Sequence, residues 1–159
     1  MTPEHILAER PTATPVLSLI WTAVVDIAPR HELGDTPQGT RFMVPILGGR
    51  FFGGPGFEEF SGHVLPGGAD RQLLDQNGFK TLDALYEMQT ASGEILTIRN
   101  RVKVDQAVGP EPYRFSVIEV IAPVGELEWM NRRVFLGTLE SARPSREAVI
   151  VRGWSILTS

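Results

Sequence analysis

The sequence predicts an all-β fold: an antiparallel up-and-down β-barrel of about eight to ten strands around an interior pocket. Three observations lead there. The 159 residues include 16 glycines and 12 prolines, a turn-rich composition against the usual background. Those residues fall at short intervals between apolar runs, leaving room for strands and little for helices. Where the runs are longest, apolar and polar residues alternate with period two, the pattern of a half-buried strand. A sandwich shares these features, but closure removes exposed edges, and about eight strands enclose an interior that is either filled or able to hold one small ligand.

Residues 1–15 carry Pro3, Pro11 and Pro15 without periodicity and read as a tail or extended arm before a single domain over 16–159. Leu17 to Ile27 is rich in Val, Ile, Leu and Trp and ends near Pro29, as a buried strand does. From Gly34 to Gly78, turn clusters such as Leu47-Gly48-Gly49, Pro66-Gly67-Gly68 and Asn77-Gly78 separate short runs including Arg41 to Ile46 and His63 to Leu65, a β meander with loops. Leu82, Ala84, Tyr86 and Met88 then share an inward parity, opposite Asp83, Glu87 and Gln89. Ser92-Gly93 turns the chain into a run where Leu96, Ile98, Asn100, Val102 and Val104 face inward and Thr97, Arg99, Arg101 and Lys103 outward. Tyr113 to Ile121, Trp129 to Leu139 and Ala148 to Leu157 supply three more strand candidates. Short helices are expected around Asp70 to Asp75 or Gly125 to Met130.

Composition narrows the function. With no cysteine, disulfides, thiolate zinc sites, iron–sulfur clusters and cysteine nucleophiles are excluded. A net charge of -4 lacks the basic excess of a nucleic-acid-binding surface. The most apolar stretch, Val16 to Ile27, falls short of the ~20 residues of a spanning helix, so no membrane association is expected. The first ten residues do not resemble a secretory signal, and a cytoplasmic location is the default expectation. His5, His31 and His63 show neither HxH nor HExxH spacing, so no metal site is expected. Absence of GxGxxG, GxxxxGK[ST] and GxSxG patterns removes support for a nucleotide cofactor and for the common hydrolase design, and no cofactor is expected.

Five blocks in order carry a resemblance: Thr36-Pro37-x-Gly39-x-Arg41, Pro45-Ile46-x-Gly48-Gly49-x-Phe51, Gly62-x-Val64-Leu65-Pro66-Gly67-Gly68-Ala69-Asp70, Leu82-Asp83-Ala84-x-Tyr86 and Trp129-Met130-Asn131. Together they resemble the DUF3237 family, also labelled UPF0311, from about Leu17 to Leu157. The resemblance implies a small antiparallel β-barrel in a family whose members mostly lack an assigned activity, some fungal relatives being cyclising enzymes of natural-product pathways. The chain departs from the family pattern at Arg71, where an aromatic is usual, and at Leu85, where an arginine often precedes the tyrosine. Its Phe52–Phe60 segment is also longer than usual, a solvated loop or a mobile lid.

Six residues are candidates for chemistry. Asn100 interrupts an aliphatic inward face, and a buried amide needs partners, either loop backbone or a ligand. Tyr86 poses the same choice between core packing and a pocket hydroxyl. Asp70, following Pro-Gly-Gly-Ala, either closes an Asx-type turn or serves as a catalytic base. Arg41 would be expensive to bury alone, which suggests an Arg41–Asp70 pair inside the barrel and, with Tyr86, stabilisation of oxyanion charge. Trp129 and Asn131 share a parity and could floor a pocket and orient a carbonyl, or pack as satisfied core groups. The enzyme reading is a cofactor-independent isomerase, lyase or cyclase acting on a small oxygenated molecule; the alternative is a non-catalytic carrier of a hydrophobic metabolite. Two-fold symmetric association makes a homodimer the expected assembly.

Overall fold

The computed structural model describes residues 1–106 and 109–158. It opens with helix α1 (Pro3–Glu9), whose start is capped by the Thr2 side chain accepting from the His5 backbone N–H. None of the α1 residues is buried. The arm expected over 1–15 is therefore helical in its first half, with Pro3 at a helix start where a missing N–H does no harm.

Ten strands follow among the described residues: β1 (Pro15–Ile27), β2 (His31–Thr36), β3 (Gly39–Gly53), β4 (Gly62–Val64), β5 (Ala69–Leu74), β6 (Phe79–Thr90), β7 (Ile95–Asp105), β8 (Tyr113–Ile121), β9 (Phe135–Ser141) and β10 (Ala148–Thr158). All pairings are antiparallel, running β1-β10-β9-β8-β7-β6 and then through β4 and β5 to β3. Because β3 also pairs with β1, Trp21 facing Gly53 and Val25 facing Gly49, the sheet closes into a barrel. Strands β4 and β5 share one position in the wall, both lying between β3 and β6, so the ring has eight positions. Strand β2 hairpins onto the first part of β3, beyond the stretch that pairs with β1.

Two local expectations change, and one strand carries no sequence signal. Residues 70–75 are not helical: Ala69–Leu74 is strand β5, drawn into the wall by β3 on one side and β6 on the other. Trp129 to Leu139 is not one strand but a short 3-10 helix (Glu128–Arg132) followed by β9. Strand β2 is that strand: five of its six residues are exposed, so no inward alternation marks it.

The barrel is filled at one end. Trp21, Phe51, Phe135, Met88, Leu96 and Met130 are buried there almost completely, each contributing roughly 1.5–3 kcal/mol by removal from water. The Trp21 indole packs edge-on to Phe135 at 5.4 Å and to Phe60 at 6.2 Å. Gly153 makes room for it, since a Cβ there would lie 2.4 Å from the indole ring. The long segment between β3 and β4 sits at this packed end, where Phe60 is buried against Phe51 and Phe57 meets Trp129, while Glu58 and Glu59 are exposed. Packing gives out toward the opposite end, and that is where a cavity forms.

Candidate functional site

Three neighbouring strands bring the polar groups together. In the register of β5, β6 and β7, Asp70 faces Ala84 and Ala84 faces Asn100, so the three side chains lie in one inward row. Tyr86 projects inward two residues deeper on β6, and Gln72 two residues nearer the open end on β5. They border a cavity of about 140 Å³ otherwise walled by apolar side chains, among them Val25, Val44, Ile46, Leu82, Leu139 and Val151.

Asp70 reaches this wall through the turn before it. The Ile46 N–H donates to the Gly68 carbonyl at 2.9 Å, pinning the turn to β3. Gly68 also lies against β6 so closely that a Cβ would stand 2.5 Å from the Tyr86 Cβ. Within the cavity Gln72 Nε2 donates to Asp70 Oδ2 at 2.8 Å, while Asp70 Oδ1 is buried without a partner. Burial pushes the Asp70 carboxyl up from 3.8 to about 6, against the opposing Gln72 hydrogen bond and the charge of Lys80.

Two further orphans share the cavity. The Tyr86 hydroxyl and Asn100 Oδ1 are buried with no hydrogen-bond partner, in residues only 2% and 3% exposed. Burial, and then the nearby Asp70 carboxylate, raise the Tyr86 pKa above the ordinary tyrosine value, so the phenol stays protonated and available as a donor. An unsatisfied buried polar atom costs roughly 1–3 kcal/mol, and three around one small space are complementary to a ligand that carries hydrogen-bonding groups. Trp21 Nε1 and the Ser116 and Ser155 hydroxyls are also unpartnered, but none of them lines this cavity.

The other sequence candidates lie elsewhere. Arg41 is exposed on the outer face, its Nη2 donating to the Leu33 carbonyl at 2.9 Å, because Phe42 and Val44 take the inward parity of β3. The expected Arg41–Asp70 contact is replaced by Gln72–Asp70. Trp129 and Asn131 stand on the 3-10 helix, where two-residue parity has no meaning. Trp129 packs on Phe57 and Phe135 at the filled end. Asn131 accepts from the Ala122 N–H at 2.8 Å and donates to the Ala122 and Glu128 carbonyls at 3.0 and 3.1 Å, holding that helix to the end of β8. Arg71 and Leu85 border an outer groove beside the Asp83–Arg99 ion pair, so the departures from the family pattern leave the cavity wall untouched.

Sequence reasoning passed over Gln72 and Lys80, although parity with Asp70 and with Leu82 and Ala84 marks both. Lys80 sits half-buried at the open end; burial first, then Arg30, lower its pKa, while Asp70 opposes the change. The Arg30 guanidinium stacks 4.1 Å from the centre of the Phe42 ring, with Lys80 Nζ 5.8 Å from the same ring. Among the described residues no cluster of His, Asp or Glu is placed to hold a metal ion, and no helix is long and apolar enough to cross a membrane.

Fold and site together define a small closed antiparallel β-barrel whose interior cavity carries a carboxylic acid. Residues 15–156 match the DUF3237 family, described as a protein of unknown function, and the chain belongs to that family. A UPF0311 protein of Rhodopseudomonas palustris is 35% identical over 154 residues, an alignment spanning 86% of this chain and 95% of the relative. Among solved structures, a β-barrel-like protein from Acinetobacter baumannii superposes with a TM-score of 0.80 at 24% identity, covering 93% of this chain and 99% of that one. A Penicillium herquei protein described as an enzyme superposes with a TM-score of 0.71 at 20% identity, covering 95% and 100%.

Proposed function

We propose that the cavity binds a small oxygenated organic molecule and that Asp70 exchanges a proton with it in a cofactor-independent isomerisation, elimination or cyclisation. The observation that carries this reading is the orphaned Asp70 Oδ1, facing an apolar cavity beside the equally orphaned Tyr86 hydroxyl and Asn100 oxygen. With its pKa near 6, the carboxylate is largely ionised at neutral pH yet basic enough to accept a proton. Gln72 holds Oδ2, which leaves Oδ1 for the substrate. The proton taken by Oδ1 returns to a different atom of the same molecule in an isomerisation or cyclisation, and protonates the departing group in an elimination, so no external acid is consumed. Tyr86, kept neutral, donates to the oxygen on which negative charge develops, and Asn100 Oδ1 accepts from a substrate hydroxyl. That a Penicillium herquei protein of the same fold is described as an enzyme supports this reading.

The mostly apolar lining also supports a second reading, a carrier that uses the same groups only for orientation. A thermal-shift screen of a metabolite library identifies ligands, because binding to the native state alone raises the melting temperature. For a ligand that is turned over, Asp70→Asn is expected to lower kcat by about 10²–10⁴-fold while binding persists. Full kcat in that variant removes Asp70 as the base. Binding without turnover across the ligands found favours the carrier. We also propose a homodimeric assembly; sedimentation at twice the monomer mass is the expected result, and sedimentation at the monomer mass removes it.

A further inference from the structure

The open end of the cavity bears charge that this chemistry leaves unused. Beyond the row of Asp70, Ala84 and Asn100, the inward positions lead to Leu74, Lys80, Val104 and Arg114, each facing the next across adjacent strands. Lys80 and Arg114 therefore stand two strands apart on one inner row, with Val104 between them, and both line the mouth. Mouth and cavity are adjacent, with Ile27, Leu82, Leu139 and Val149 bordering both. Arg143, also at the mouth, is paired with Glu147. Neither Lys80 nor Arg114 forms an ion pair with a carboxylate among the described residues. In a chain of net charge -4, two inward cations that form no ion pair among the described residues, over a mostly apolar cavity with Asp70 deeper inside, form a complement for an anion.

Resting on the reading of the cavity given above, we propose that its ligand is a single-ring organic acid, whose carboxylate lies between Lys80 and Arg114 while the ring enters toward Asp70 and Asn100. The size follows from the cavity, about 140 Å³, close to the ~150 Å³ that accommodates benzene in an apolar protein interior. The polarity follows from the register. Lys80 and Ala84 are four positions apart on β6, about 13 Å of strand, and the flexible lysine stem shortens the gap. The acid group and the oxygen read by Asp70 and Asn100 thus belong at opposite ends of the ring. A monoanion suits two cations above an acidic floor better than a dianion, which Asp70 would repel.

The probes are 4-hydroxybenzoate and its neutral counterpart 4-hydroxybenzamide, titrated calorimetrically into the full chain. The wild type is expected to bind the acid about tenfold or more tightly than the amide, the scale of a charge-assisted hydrogen bond. In Lys80→Met/Arg114→Met the preference is expected to fall to about twofold or less, with affinity for the amide retained. Should the double variant fail to fold, Arg114→Gln alone, at a position that is not fully buried, is expected to reduce the preference. Equal binding of acid and amide by the wild type, or a preference that survives both substitutions, overturns the anionic ligand while leaving the cavity reading in place. Failure of both probes to bind the wild type at millimolar concentration overturns the single-ring ligand, and the cavity reading falls with it if the metabolite screen also yields no ligand.

Discussion

Replacing Asp70 by asparagine keeps the shape of the side chain and removes its titration, which makes the cost of the buried carboxylate measurable. Burial raises the carboxyl from 3.8 to about 6, and at roughly 1.4 kcal/mol for each tenfold in proton affinity the ionised form costs about 3 kcal/mol of stability. Between pH 3.8 and about 6 the folded chain retains a proton that the unfolded chain has released. Wild-type stability from this group is therefore complete below the lower value and lost as pH rises through the upper one. Asp70→Asn lacks that loss. Its stability relative to wild type is expected to climb by roughly 1.4 kcal/mol per pH unit across the window and level off above it at a gain of about 3 kcal/mol over its low-pH value. The asparagine amide, itself short of partners, adds an offset that does not vary with pH. Urea unfolding of both proteins at intervals from about pH 4 to pH 8, read as midpoint and slope, gives the difference curve. A flat difference, or one that falls with rising pH, would refute the claim that burial controls this carboxylate.

Three further outcomes separate site from scaffold. Asn100→Leu is expected to leave urea stability unchanged or raise it by about 1–2 kcal/mol, since Asn100 Oδ1 has no protein partner, while weakening ligand binding; destabilisation with unchanged affinity would remove Asn100 from the pocket. Asn131→Ala breaks three hydrogen bonds to backbone and is expected to cost about 1–3 kcal/mol in the same assay without altering affinity in the cavity. Gly153→Ala thrusts a methyl to 2.4 Å from the Trp21 ring and is expected to lose about 1–3 kcal/mol by overpacking, checked by thermal and urea melts; a wild-type melting curve would contradict the close packing at the filled end.

Much of the wall was legible because a strand's side chains alternate by simple geometry. Leu82, Ala84, Tyr86 and Met88 face inward as their parity requires, as do Leu96, Ile98, Asn100, Val102 and Val104, and Arg99 lies outside in its pair with Asp83. The same logic applied without its premise misplaces Trp129 and Asn131, since the periodicity of a 3-10 helix differs from that of a strand. Arg41 has the outward parity of β3, and Gln72, two residues along β5 from Asp70, makes the contact expected of it.

The all-β class, the turns that allow a barrel and the inward or outward face of its longest strands are legible in the chain alone, because they are local properties of spacing and of glycine and proline backbones. Which inward residues meet depends on how the strands pair. Closure of β1 on β3 sets the ring, and the register of β5, β6 and β7 places Asp70 in the same row as Asn100, 30 residues away in sequence. The filling of one end by Trp21, Phe51 and Phe135 is likewise a sum over distant strands. What remains open at the other end is a volume, and no single strand encodes a volume.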